Sequence, residues 1–478
     1  MNQANSSRRR FLGNLLAIAS GSAVPFTLNL AAMGTAAAEG ATDYKALVCL
    51  YLGGGNDHFN TVLPTDPTSW NEYVRIRTTA GADSIALPSI SAGYRPLLPI
   101  APINSQGRTF ALHPSLQPLK SLFDADRAAV IANVGPLVRP ITKAQYLAGS
   151  APVPPKLFSH NDQQAVWQSL QAENSHGVGW GGRLADIMAS ASSSSTFSCI
   201  STAGNALFLS GRTLQPIQVN GTAVPAIRNL NTNLFGSTPG NNSFRNIIAG
   251  DYSDLFQKEH SKVVRSAIDN QAVLSTAILP AGANGVPNPG NYVNPMTGMA
   301  EVNPLAIQLQ TVARLIGGRS ALGAKRQVFY VSLNGFDTHD NQRATQCILL
   351  AKVAHAMAYF DNIMSSLQGG DMRQQVTLFT ASDFGRTFTS NGDGTDHGWG
   401  SHHFVMGGAV KGRDIYGTMP VTGLGHDLDI GSGALLPTIS VDQYGATLAS
   451  WFGLSATQIA DVFPNIANFS TRNLGFMA

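Results

Sequence analysis

The sequence predicts an α/β fold: a mostly parallel central sheet with helices on both faces. Three short runs carry the prediction: residues 46–52 (ALVCLYL), 327–333 (QVFYVSL) and 375–381 (QVTLFTA). They are apolar with little alternation, as strands are when both faces are covered. Between the second and third, Cys347, Leu350, Ala354, Met357 and Phe360 recur at helical spacing over residues 342–367, so one strand–helix–strand unit is readable. The chain has 478 residues and is 44% hydrophobic, enough for a large core. Only 12% of its residues are charged, half the roughly 25% of ordinary soluble domains. That excludes a polyelectrolyte or a salt-bridged helical rod, and the net charge of +3 gives no electrostatic footprint for nucleic acid.

The N-terminal forty residues read as an export signal. Ser7-Arg8-Arg9-Arg10-Phe11-Leu12 precedes a weakly hydrophobic stretch, Asp and Glu are missing before Glu39, and Ala36-Ala37-Ala38 offers a cut before Glu39. The paired arginines followed by Phe-Leu match a twin-arginine signal over residues 1–38. The twin-arginine translocase is then a transient partner, and the mature chain is expected in the periplasm or secreted. No later run reaches about 18 apolar residues, so no stable membrane span is expected in residues 39–478.

Those residues read as one α/β domain. A fourth strand is expected at 128–134 after a helical stretch at 115–123, and a further helix at 304–316. Within the less regular region 190–303, the serine run 192–195 and the Gly/Pro/Asn-rich stretch 280–304 read as loops of an insertion or cap. Cys49, Cys199 and Cys347 make no disulfide framework and are expected as buried free thiols.

Each of the three strong strands runs into a turn bearing a carboxylate: Asp57 in GGGND, Asp337 in NGFDTH and Asp383 in SDFGR. In open α/β sheets, ligands sit beyond the carboxyl ends of strands, so three such acids can converge from distant positions. Singly, each is as readily a turn former or helix N-cap. His339, His397, His402 and His403 share the C-terminal stretch with two of the acids. Oxygen and imidazole ligands without thiolates suit zinc, manganese, iron, magnesium or calcium. Gly398 and Gly400 would let backbone approach a metal or anion. Of His402 and His403, which alternate on a strand, one is expected to cap it and the other to be exposed. Gly53 to Gly55 lack the spacing of a dinucleotide-binding turn.

In order, LGGGND (52–57), LHPSLQPL (112–119), SHNDQQAVW (159–167), GWGGRL (179–184), GFDTH (335–339), SDFGR (382–386) and DHGWGSHHFVMGG (396–408) resemble an exported bacterial family catalogued as domain of unknown function 1501. The resemblance spans nearly the whole mature chain. That family in turn resembles the alkaline phosphatase and sulfatase superfamily, which implies an alkaline-phosphatase-like fold and a two-metal site hydrolysing phosphate or sulfate esters. By that resemblance Asp57 and Asp383 bind one divalent metal, and Asp337, His339 and His397 the other. Zinc, manganese, magnesium and calcium all remain open as the one or two ions.

A hydroxyl at a helix N-terminus would be the nucleophile. Ser159 fits best and Thr142 second, although Ser159 also reads as an ordinary N-cap. Arg386 is either a clamp for an anionic substrate or the ion-pair partner of a carboxylate. Two departures bear on the metals. Phe384 stands where the superfamily has His, and Asp337 is followed by His339 instead of a His four residues on. His58, His160 and His402 are the imidazoles able to compensate. No Cys/Ser-x-Pro-x-Arg context for sulfatase chemistry is found. The expectation is an exported metal-dependent hydrolase of phosphate or related anionic esters, small or polymeric. The alternative is a non-catalytic secreted or surface binding protein that keeps the fold with a degenerate metal site.

Overall fold

A computed structural model describes residues 43–170, 177–219, 226–227, 230 and 236–478. The export signal expected at 1–38 lies outside the described residues. The strands of the main sheet are β1 (Lys45–Gly53), β2 (Ala128–Gly135), β3 (Cys199–Ser201), β4 (Ile217–Gln218), β5 (Arg326–Asn334), β6 (Val376–Ser382), β7 (Ser401–Met406), β8 (Ile415–Tyr416) and β9 (Ile439–Ser440). Their order is β8-β2-β7-β6-β1-β5-β3-β4, with β9 also paired to β2. Only β7 runs against the rest. The three strands readable from sequence are thus the three adjacent central ones.

Side chains of β1 explain why its alternation is hidden. Ala46, Val48 and Leu50 enter one apolar layer, and Leu47, Cys49 and Tyr51 enter the opposite one. The first layer is covered by helices α1 (Gln117–Asp124), α2 (Pro304–Gly317) and α3 (Gln342–Met364). The second is covered by α4 (Trp180–Met188) and α5 (Val441–Phe452). Each fully buried Leu, Val or Phe contributes about 1.5–3 kcal/mol. Gln342–Met364 is, among the described residues, long and apolar enough to cross a membrane by length and composition, and it packs here against the sheet.

All three cysteines are buried and free. The expected 128–134 strand and 304–316 helix are present with small changes of boundary. The region 190–303 is less loop-like than its composition suggests. It gives β3 and β4 to the sheet and contains a 23-residue helix, Leu255–Ala277, that buries only Ser261, Leu274 and Ala277. So little apolar burial leaves a weak periodic signature.

Candidate metal centre

Register pairs Gly53 with Asn334 and Leu52 with Ser382, so the turns bearing Asp57, Asp337 and Asp383 leave the sheet at one edge. Two glycines let them close together. Gly54 has φ +115°, and a Cβ there would lie 2.3 Å from the Asp337 amide nitrogen; at Gly55 it would meet the Phe384 ring at 2.6 Å.

His160, Asp337 and His397 each offer one ligand atom, and these atoms lie within 4.8 Å of one another. His160 is the first residue of the helix His160–Ser169, while His397 ends a short strand, Thr395–His397, paired with Arg386–Ser390. The Nδ1 of His160 lies 2.7 Å from Asp383 Oδ2, and the Nδ1 of His397 lies 2.6 Å from the Phe158 carbonyl oxygen. Both oxygens accept, so in the neutral rings the proton sits on Nδ1 and the Nε2 lone pair is free. These Nε2 atoms approach Asp337, at 3.3 Å from His160 and 3.2 Å from His397. Although the His160 contact is short enough for an ion pair, its Nε2 is shielded from solvent and makes no hydrogen bond. A shielded lone pair facing a carboxylate and a second imidazole fits a divalent cation.

His339 borders the group. Its Nε2 lies 2.9 Å from His397 Nε2 and 3.1 Å from Asp337 Oδ1, and its Nδ1 lies 3.3 Å from Asp396 Oδ1. Burial pushes Asp337 up, but the hydrogen bond and charge of Arg386, followed by His160 and His339, outweigh it and hold the carboxyl below its usual range. The hydrogen bond to Asp383 raises His160, whereas burial lowers His397.

The remaining sequence-derived residues take other positions. Asp383 stands behind His160, accepting from the Tyr51 hydroxyl at 2.6 Å and the Gly54 amide at 3.3 Å. Asp57 is turned away. It is fully buried in an ion pair with Arg77 and also accepts from Gln342 Nε2 at 2.6 Å and the Phe59 amide at 3.1 Å. Arg386 is buried with all its directions used, by Asp337 at 2.8 Å, the Gly54 carbonyl at 3.3 Å, Thr395 Oγ1 at 3.3 Å and the Thr395 carbonyl. It orients Asp337. Ser159 precedes His160 at the helix N-terminus and donates to Asp162 at 2.7 Å. Thr142 is exposed and forms a capping box with Gln145.

Of the three imidazoles left open, only His160 joins the cluster. His58 is buried against Phe59 and His402, and His402 Nδ1 accepts from the Asn133 amide. Neither His402 nor His403 is exposed: the His58 ring packs against His402, and Trp167 and Tyr444 pack against His403 on the other face of β7. Gly398 and Gly400 are required by packing: a Cβ would meet the Arg386 carbonyl oxygen at 2.7 Å or Asn133 Oδ1 at 1.9 Å. The Phe384 ring lies 4.5 Å from His397 and 4.8 Å from His160, filling the space beside the cluster.

The fold and this site define an α/β protein with a His/Asp cluster at the carboxyl edge of a mostly parallel sheet. The chain belongs to the family described as "Protein of unknown function (DUF1501)", which matches residues 44–462. No curated protein matches it. Among solved structures it is similar to a Bacteroides thetaiotaomicron protein of multiple-glycosaminoglycan metabolism, at 10% identity and TM-score 0.36 over 91% of this chain and 77% of that one. It is also similar to the PsFucS1 sulfatase from Pseudoalteromonas sp., at 7% identity and TM-score 0.33 over 90% and 72%. A third is Ps i-CgsB in complex with k-i-k-neocarrahexaose, at 8% identity and TM-score 0.33 over 87% and 74%. Likenesses this distant carry no argument about chemistry.

Proposed function

We propose that the protein is an exported hydrolase of phosphate or related anionic esters that works with a single divalent metal held by His160, Asp337 and His397. The convergence of their three ligand atoms within 4.8 Å is the observation that supports this reading most. The motif resemblance to the alkaline phosphatase and sulfatase superfamily supplies the reaction class. A divalent ion there would polarise an ester oxygen and neutralise charge developing on the transferred group. The chain's own residues do the rest. Asp383 and the Phe158 carbonyl orient the two imidazoles, and Arg386 fixes Asp337. Ser159, beside His160 at a helix N-terminus, supplies a hydroxyl whose proton is directed to Asp162. The twin-arginine start supports export to the periplasm or beyond.

A screen of zinc- and manganese-loaded protein against 4-nitrophenyl phosphate, bis(4-nitrophenyl) phosphate and 4-nitrophenyl sulfate tests the activity. Turnover should be lost in His397→Ala, and in Ser159→Ala with metal binding retained. A metal-loaded parent inactive on all three esters would remove the hydrolase reading. One observation favours the alternative of a non-catalytic binding protein: Asp57 is sequestered by Arg77 and Phe384 packs beside the cluster, so the described residues hold no second metal site of the kind the resemblance implies. Metal binding without turnover in the parent would support that alternative.

A further inference from the structure

A pocket of about 390 Å³ opens where the loop that follows Asp337 passes into α3. Its walls are apolar, with Leu87, Tyr94 and Met296 among them, and none of the residues lining it is acidic. Two guanidinium groups line it. Arg95 lies over the Tyr94 ring at 5.0 Å and, among the described residues, otherwise reaches only sulfur, Met296 Sδ and Cys347 Sγ, each at 3.9 Å. Arg343 is exposed on the first turn of α3, where the helix dipole adds positive potential, and it forms no ion pair with a described residue.

His113 adds a hydrogen-bond donor to the pocket wall. It is 2% exposed, lines the pocket, and uses Nδ1 to accept from the Ser115 amide at 3.0 Å. Burial and then the charge of Arg95 hold the imidazole neutral down to about 3. Its proton therefore lies on Nε2, which has no hydrogen-bond partner among the described residues. An acceptor atom of a ligand can therefore meet it from the pocket that His113 lines.

We infer that this pocket binds a small organic anion with an apolar body, its charge held between Arg95 and Arg343 and an acceptor atom on His113 Nε2. Two unpaired guanidiniums select the anion, and the apolar walls exclude small inorganic ions as the preferred ligand. The inference stands on the pocket alone and does not depend on the hydrolase reading.

The probe is 1-anilinonaphthalene-8-sulfonate, an apolar aromatic anion, titrated by fluorescence against the folded, metal-free protein. One site per chain is expected, with binding about tenfold weaker for each arginine removed in Arg95→Ala and Arg343→Ala, equivalent to about 1.4 kcal/mol. Ala344→Phe should block the pocket while His397→Ala leaves the affinity unchanged. Unaltered thermal unfolding of Arg343→Ala, whose side chain is exposed, separates loss of binding from loss of fold. Equal affinity for the parent and the double arginine variant would overturn the inference. So would equal binding of the uncharged parent ring system, N-phenyl-1-naphthylamine.

Discussion

The imidazole Nδ1 of His160 lies 2.7 Å from a carboxylate oxygen of Asp383. One of the three strand-end acids thereby becomes the residue that orients a ligand. The proton held between the two leaves Nε2 free toward Asp337. A carboxylate in this position fixes the tautomer and raises the basicity of the ring.

Replacing Asp383 with Asn should therefore reverse the tautomer. The amide oxygen is needed by the Tyr51 hydroxyl and the Gly54 amide, so the amide NH2 faces His160, which must then accept at Nδ1 and carry its proton on Nε2. Metal affinity is expected to fall about 10–100-fold with little change in fold. Calorimetric titration with zinc, alongside circular dichroism, checks both halves.

Arg77 and Asp57 form a fully buried pair that contributes no ligand to the cluster. Arg77→Met strands the Asp57 carboxylate and should cost about 3–5 kcal/mol of stability. Metal stoichiometry in the folded variant should stay at that of the parent. Urea unfolding and elemental analysis on the same preparation would measure the two quantities.

Metal binding should weaken as pH falls. Asp383 raises the His160 pKa above its ordinary value, so a metal must displace a proton from that ring below the raised value. Affinity is expected to drop about tenfold per pH unit below the raised pKa. In the metal-free protein the sign reverses: the stability that protonated His160 gains from Asp383 is full below 6.5 and is lost as pH rises through the raised value. His160→Gln should remove both dependences, read by titration and by thermal melts between pH 5 and 9.

Acid should destabilise the protein through a different set of histidines. Burial lowers His58 well below its ordinary value and His113, His402 and His403 to about 3. Between about 3 and the unfolded value near 6.5 the unfolded chain binds more protons, so stability present above 6.5 is lost as pH falls. His58→Leu removes an imidazole with no hydrogen bond at either nitrogen. It is expected to flatten part of the decline in melting temperature between pH 6.5 and 4.

Much of this arrangement was legible in the sequence. Strands covered on both faces announce themselves by unbroken hydrophobicity, and residues 46–52, 327–333 and 375–381 turned out to be β1, β5 and β6, side by side. Their ends are level, so the acids beyond them share an edge. What was not legible depends on partners far along the chain. Asp57 looks the same in sequence whether it meets a metal or Arg77, twenty residues later at the end of the helix Pro67–Arg77. His160 was one of three available imidazoles, and only the docking of its helix against the Asp383 turn distinguishes it. The burial of both His402 and His403 follows from cover on both faces of the sheet, which alternation within one strand does not reveal.

The most direct test of the account is metal content after equilibration with zinc or manganese and removal of excess. The parent and Asp57→Asn should each retain one ion per chain, and His160→Ala and His397→Ala should retain none while remaining folded. Two ions per chain in the parent, loss of the ion in Asp57→Asn, or a parent that stays metal-free would contradict a single centre built on His160, Asp337 and His397.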